Sequence, residues 1–268
     1  MALKSVMARG LALIGSAERL FAKANQKDLY QVQKNLLIKK IDDFDLTADL
    51  YIPNAPGLKP AVLVVHGGGW ENRSGEMHNV SQCLAEAGYV VLNTTYRLSP
   101  QHAYPKPVDD IRIALSWLKA NASQFDVDVT KISAWGYSAG AHLILLAGLD
   151  GKAGFKSLIA GGTPSDLTVW PRSTLVRQLL GVDFKKNPAL WKEASPVNHI
   201  TDQTPPVFLY HGEWDLMVTP SQMTKLEKAL IAKNRVVETY TAKQMGHLSV
   251  YLLSRKSIDL GISFLKRN

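Results

Sequence analysis

The period of the apolar positions changes along this chain. Over residues 1–27, Leu3, Val6, Met7, Leu11, Ile14, Ala17, Leu20, Phe21 and Ala24 recur at spacings of three and four, with Lys4, Arg9, Arg19 and Lys23 between them. That pattern predicts an amphipathic helix. Residues 31–41 and 44–52 read as two short strands around Asp42-Asp43, an antiparallel hairpin. After a loop rich in Pro and Gly, Ala61-Val62-Leu63-Val64-Val65 is an unbroken apolar run, as in a strand buried on both faces of a parallel sheet. Helix-like stretches at 75–87, 108–118, 141–149 and 221–233 then alternate with strand-like stretches at 89–95, 131–135, 155–160, 207–211 and 235–241. A terminal helix is predicted over 248–265.

Such alternation is the signature of βαβ units with right-handed crossovers. It predicts an α/β class, with a mostly parallel twisted sheet of about eight strands and helices on both faces. The rhythm breaks at about residues 163–205, where two aromatic-bearing, helix-like pieces occur with no strand. Ligands bind beyond the carboxyl ends of strands in open α/β sheets. A small helical insertion there is a lid candidate. The organisation expected is an N-terminal arm over residues 1–30 and an α/β domain over residues 31–268 that contains the insertion.

Composition changes this picture little: 46% hydrophobic and 20% charged residues are an ordinary globular balance. Charge changes it more. The net charge is +8, yet residues 1–40 hold eight basic against two acidic side chains, so the body is nearly neutral. No basic patch with interleaved aromatics runs through that body, which argues against nucleic acid as a partner. The arm has three readings: a helix packed on the body or capping its site, a peripheral membrane contact through residues 1–27, and an export signal ending near Ala22-Lys23-Ala24. Glu18 and Arg19 interrupt the apolar run and weaken the last. No stretch approaches ~18 uninterrupted apolar residues. Cys83 is the single cysteine, which excludes an intrachain disulfide and a multi-cysteine metal site, and it reads as a buried structural thiol. A cytoplasmic location is expected, with the membrane surface or export through the arm as alternatives.

The chemistry is carried by Gly136-Tyr137-Ser138-Ala139-Gly140, set between a strand and a helix. A serine on such a turn is held on strained backbone with its hydroxyl exposed above the sheet edge. Acyl transfer further needs a base, an acid to fix it and donors for the oxyanion. His66-Gly67-Gly68-Gly69 follows a buried strand, and its glycines offer unobstructed N–H groups: Gly68 and Gly69 can point theirs into a site beside that of Ala139. Asp215 and His247 follow the strands at 207–211 and 235–241, which brings them to the same sheet edge in the order Ser, Asp, His. A lone aspartate after a strand is more often a helix cap, and a lone histidine more often a core or surface residue. The combination is what carries weight. Asp166 is the rival acid. Asp109 and Asp110 read as helix-opening carboxylates that favour the dipole. His66 reads as a brace for the glycine loop, while His102, His142, His199 and His211 are set aside as poorer candidates for the base. Trp70, Trp170, Phe184 and Trp191 are candidates to line a substrate pocket, and Arg172 could meet an anionic substrate. No metal-ligand spacing is present.

Together, His66-Gly67-Gly68-Gly69-Trp70, Tyr96-Arg97-Leu98-Ser99-Pro100, Gly136-Tyr137-Ser138-Ala139-Gly140, Asp215 and His247 resemble the α/β-hydrolase superfamily. Within it, residues 31–268 resemble the hormone-sensitive-lipase-like carboxylesterases and neighbouring small bacterial esterases. The resemblance implies a Ser138–His247–Asp215 triad, an oxyanion hole from Gly68, Gly69 and Ala139, no cofactor, and a small-molecule ester substrate, with short acyl chains expected. The chain departs from the group's pattern at Tyr137 and Thr95, where Asp is usual, and at Ala141, where Gly is usual. An amide hydrolase of the arylformamidase type and a binding protein on a hydrolase fold are the alternatives. The sequence specifies neither the natural ester nor an oligomeric state.

Overall fold

A computed structural model describes residues 29–74 and 76–268. The expectations placed on residues 1–27 lie outside the described residues. The described residues form an eight-stranded sheet in the order β1-β2-β4-β3-β5-β6-β7-β8. β1 (Tyr30–Ile41) and β2 (Phe44–Pro53) form the expected hairpin. β2 pairs antiparallel with β4, and every later pair is parallel. β3 (Lys59–Val65), β4 (Val90–Thr94), β5 (Val127–Tyr137), β6 (Leu158–Gly161) and β7 (Val207–Gly212) fill the middle. Their continuous apolar runs follow from burial on both faces: Val62, Leu63, Val64, Val91 and Leu92 are all fully buried. The edges read differently. β1 exposes Lys34, Lys39 and Lys40, charges that discourage pairing with another strand, and β8 (Val237–Ala242) is half-exposed.

Helices cover the two faces. α2 (Lys106–Ala120), α3 (Ala139–Gly148) and α6 (Ser221–Ala232) cover one, over a core containing Leu63, Ile111, Leu143 and Leu226. α1 (His78–Glu86), α7 (His247–Leu253) and α8 (Arg255–Arg267) cover the other, over Met77, Trp135, Tyr137, Tyr210 and Phe264. Between β6 and β7 lie α4 (Thr174–Leu180) and α5 (Pro188–Glu193). Each begins on a side-chain cap: Ser173 accepts from the Val176 N–H, and Asn187 accepts from the Leu190 N–H.

Several expected elements differ. The strand expected at 131–135 runs from Val127 to Tyr137. The helix expected from residue 75 begins at His78, because Met77 takes a left-handed φ of 55° before it. The strand expected from residue 155 begins at Leu158. The terminal helix is broken in two at Ser254, whose hydroxyl caps α8 by accepting from the Ser257 N–H. Period alone does not reveal that break, since the apolar spacing runs through it.

Candidate active site

β5 delivers Ser138 to the sheet edge. Gly136 and Gly140 leave no room for side chains: a Cβ on Gly140 would lie 2.2 Å from the Val65 carbonyl oxygen, and one on Gly136 would lie 2.5 Å from Gly140 backbone. The strand therefore turns straight into α3, and Ser138 between them takes φ 53° and ψ −119°. Such a conformation costs a non-glycine residue about 1–3 kcal/mol. It is held by the Ser138 N–H donating to the Gly161 carbonyl at 2.8 Å and the His142 N–H donating to the Ser138 carbonyl at 3.0 Å.

The glycine loop after β3 runs against this turn, so close that a Cβ on Gly67 would meet Ser138 Cβ at 3.4 Å. Gly68, Gly69 and Trp70 all take positive φ, and the Glu71 and Asn72 N–H groups fold back onto the Gly68 carbonyl. His66 braces the loop as expected. It is buried, stacks on Tyr96 with centroids 4.4 Å apart, and bonds Thr95 Oγ1 at 3.1 Å. Burial pushes its pKa down to about 4. Thr95 stands where the resembled group has Asp, and here it supplies a hydroxyl to that neutral histidine.

The loops after β7 and β8 are stitched together by backbone. Glu213 donates to the Ala242 carbonyl at 3.0 Å and Trp214 to the Met245 carbonyl at 2.9 Å. This brings Asp215 and His247 into contact, with His247 Nδ1 and Asp215 Oδ2 separated by 2.6 Å. Asp215 Oδ1 accepts from the Met217 and Val218 N–H groups at 3.0 and 2.9 Å. Burial alone would raise the Asp215 carboxyl. Hydrogen bonds from His211 and His247 and from the Val218 N–H override it and hold the carboxyl well below the usual carboxylate range. His247 itself is buried against Gly162, where a Cβ would lie 2.9 Å from its Cε1; the preceding residue, Gly161, accepts from the Ser138 N–H.

Rival acids are occupied elsewhere. Asp166 caps a short turn through the Thr168 N–H and hydroxyl and pairs with Lys225. Asp110 corrects the helix-dipole reading. It is fully buried and grips the Arg97 side chain at 2.7–3.0 Å while also accepting from the Arg97 N–H at 2.7 Å. Asp109 pairs with Arg112 on the surface.

Two histidines set aside on sequence touch this region. His211 Nε2 lies 3.2 Å from Asp215 Oδ2 and 2.7 Å from the Val218 carbonyl oxygen, so it is a second partner of that carboxylate. His142 lies one turn after Ser138, fully buried. Its Nδ1 accepts from Trp70 Nε1 at 3.2 Å and its Nε2 donates to the Ala194 carbonyl at 2.8 Å, which ties the glycine loop to α3 and to the insertion. Burial pushes its pKa down to about 4. The only sequence signal for His142 was its i+4 spacing from Ser138, which places it over the first turn of the helix.

The aromatic candidates divide. Trp191 is completely buried, donates to the Val182 carbonyl at 3.1 Å and packs edge-on against Phe184, so it belongs to the interior of the insertion. Trp70 is also buried, edge-on to His142. Trp170 is half-buried. A Cβ on Gly69 would lie 3.5 Å from Leu175 of α4, in the insertion. Among the described residues, no cluster of His, Cys, Asp and Glu is placed to hold a metal ion, and no helix is long and apolar enough to cross a membrane.

The BD-FAE family model matches residues 48–230. Esterase LipC of Mycobacterium tuberculosis is 27% identical over 221 residues, covering 74% of this chain and 53% of that protein. Esterase LipQ of the same organism is 28% identical over 214 residues, covering 72% and 51%. The chain thus spans about half the length of the curated relatives it matches. Among solved structures, a truncated carbohydrate esterase from gut microbiota superposes with a TM-score of 0.80 at 18% identity, covering 90% of this chain and 97% of that one. Propionate-bound esterase 2 of Thermogutta terrifontis gives 0.74 at 22% identity, covering 91% and 95%. These likenesses establish the α/β-hydrolase fold.

Proposed function

The chain belongs to the BD-FAE family of α/β-hydrolases, and on that premise we propose that it is a carboxylic ester hydrolase working through Ser138, His247 and Asp215. The observation that carries the reading is the 2.6 Å contact between His247 Nδ1 and Asp215 Oδ2 at the sheet edge where Ser138 is held at φ 53°. Asp215 is ionised and accepts the Nδ1 proton, which leaves Nε2 of the imidazole as the base. Nε2 takes the Ser138 hydroxyl proton as Oγ attacks the ester carbonyl carbon. The developing oxyanion is met by the N–H groups of Gly68, Gly69 and Ala139, the last at the N-terminus of α3, where the helix dipole also favours negative charge. The imidazolium returns its proton to the leaving alkoxide, and an acyl-Ser138 ester remains. Water, deprotonated by the same imidazole, attacks that ester and releases the acid and the free serine. Proton and charge balance at each step with the chain's own residues.

The insertion between β6 and β7, about residues 163–205, acts as a small lid over this edge. Leu175 packs over Gly69, and Trp70 is closed in beside it. A compact insertion of this kind favours esters with short acyl chains, and Trp170 and Phe184 are its half-buried aromatics. Arylformamidase-type amide hydrolysis is the second activity to test, since the same oxyanion donors and triad serve it.

A panel of p-nitrophenyl esters with acyl chains of two to sixteen carbons tests the proposal, run beside a formamide substrate. The proposal expects turnover that falls with chain length and vanishes in Ser138→Ala. Full activity in Ser138→Ala overturns it, and preference for the formamide reassigns the substrate class.

A further inference from the structure

The residue between Gly136 and the nucleophile is Tyr137, where the resembled esterases usually have Asp, and the ester-hydrolysis scheme above gives it no task. It is buried at the end of β5. Its hydroxyl donates to the backbone carbonyl of His247 at 2.6 Å, a contact between residues 110 positions apart in sequence. Its ring centroid is 5.1 Å from that of the His247 imidazole. The ring in turn lies 5.3 Å from Tyr251 and 5.9 Å from Tyr210, so aromatic neighbours hold it in place. A Cβ on Gly162 would lie 2.9 Å from His247 Cε1 and 3.0 Å from the Tyr137 hydroxyl, so the same glycine borders both groups.

We propose that Tyr137 is a positioning residue that fastens His247 to the strand carrying Ser138. The proposal rests on the triad reading above and deepens it. Asp215 holds the imidazole through Nδ1, which leaves rotation and displacement about that one bond. Tyr137 supplies two further restraints, one on the His247 backbone and one on the imidazole itself. Because Tyr137 is covalently adjacent to Ser138, any shift of the strand end moves nucleophile and base together, and their separation is preserved. A misplaced imidazole raises the barrier to proton transfer more than it weakens substrate binding, so the loss of these restraints appears in kcat rather than KM. Burial raises the phenol well above its ordinary pKa, so Tyr137 remains a neutral donor throughout the working range.

The test compares wild type, Tyr137→Phe, Tyr137→Leu and Tyr210→Phe in the full chain. Tyr137→Phe keeps the ring and loses the hydroxyl; it should lower kcat on p-nitrophenyl acetate roughly tenfold with KM little changed, a penalty typical of small misplacements of a reacting group. Tyr137→Leu loses both restraints and should fall further. Labelling of Ser138 by a fluorophosphonate should slow in the same ratio. The far-downfield proton resonance of the His247–Asp215 hydrogen bond, absent in Asp215→Asn, should shift or broaden in Tyr137→Phe. Tyr210→Phe loses the bond from Trp135 in the same core without touching His247, and should leave kcat and the resonance unchanged. Wild-type kcat, labelling and resonance in Tyr137→Phe overturn the proposal, as does a loss confined to KM or to melting temperature. A folded wild type that neither labels nor hydrolyses esters overturns the triad reading, and Tyr137's role with it.

Discussion

The Ser138 turn and the insertion between β6 and β7 are joined through His142, which donates to the Ala194 carbonyl, yet different physics holds each. The turn is fixed by backbone sterics. Gly136 and Gly140 admit no Cβ, and Ser138 is strained between a strand and a helix that are both buried. The insertion is fixed by side chains: hydroxyl and amide caps on α4 and α5, Trp191 sealed against Phe184, and Ser195 donating to the Trp191 carbonyl at 2.7 Å. Backbone sterics tolerate very few residue types. Side-chain packing tolerates many. On the proposed reading, the nucleophile's turn is thus tied to geometry that few residues satisfy, while the proposed lid is built from replaceable contacts.

The sharpest way to break this contrast is a pair of isosteric changes in two loop carboxylates. Asp215→Asn should lower kcat by roughly 10^4-fold, as expected when the acid partner of a triad histidine is neutralised. Asp166→Asn should stay within about threefold, because Asp166 serves a turn and Lys225. Ester-hydrolysis rates on the two variants check both, and equal losses would erase the distinction. Next in size is Gly140→Ala. Its Cβ would sit 2.2 Å from the Val65 oxygen, so it should cost about 3 kcal/mol or more by overpacking and remove most activity, read from urea melts and turnover together. Trp191→Ala sharpens the other side: about 3–5 kcal/mol of stability lost through the cavity, with turnover of a two-carbon ester largely retained well below the melting point.

Much of the fold was legible because the central strands are buried on both faces and read as unbroken apolar runs. Ser138 was legible for the same steric reason that fixes its turn. Asp215 and His247 could be named from their positions after strands, although their contact depends on backbone hydrogen bonds between the β7 and β8 loops that no spacing encodes. What sequence missed was decided by partners distant in the chain. Asp110 reads as a helix-opening carboxylate, but the helix starts at Lys106 and Arg97 draws Asp110 into a fully buried pair. His211 looked dispensable beside His247 until both were found on one carboxylate. Trp191 looked as suited to a pocket wall as to a core, and only its burial separates the two.

A smaller effect ties the two regions together through pH. His66 braces the glycine loop and His142 links that loop to the insertion, each with its pKa held at about 4 by burial. The unfolded chain binds protons at these residues near pH 6.5 and the folded chain does not. Their contribution is fully present above pH 6.5 and is lost as pH falls toward 4, at up to about 1.4 kcal/mol per pH unit for each residue. Denaturant melts from pH 7 to pH 4.5 should show this slope; His142→Gln should reduce it. Asp215 works on a lower window, since its depressed carboxyl stabilises the fold above about pH 4 and loses that effect only in stronger acid. The smallest change expected is Trp170→Ala, which should cost less stability than Trp191→Ala, Trp170 being only half-buried, and raise KM for longer acyl esters only a few-fold.

The most direct measurement is fluorophosphonate labelling of the full chain followed by peptide mass spectrometry. The account predicts a single adduct on the peptide containing Ser138, absent in Ser138→Ala, strongly slowed in Asp215→Asn and formed at the wild-type rate in Asp166→Asn. An adduct on another residue, or a folded wild type that takes no label, would contradict it.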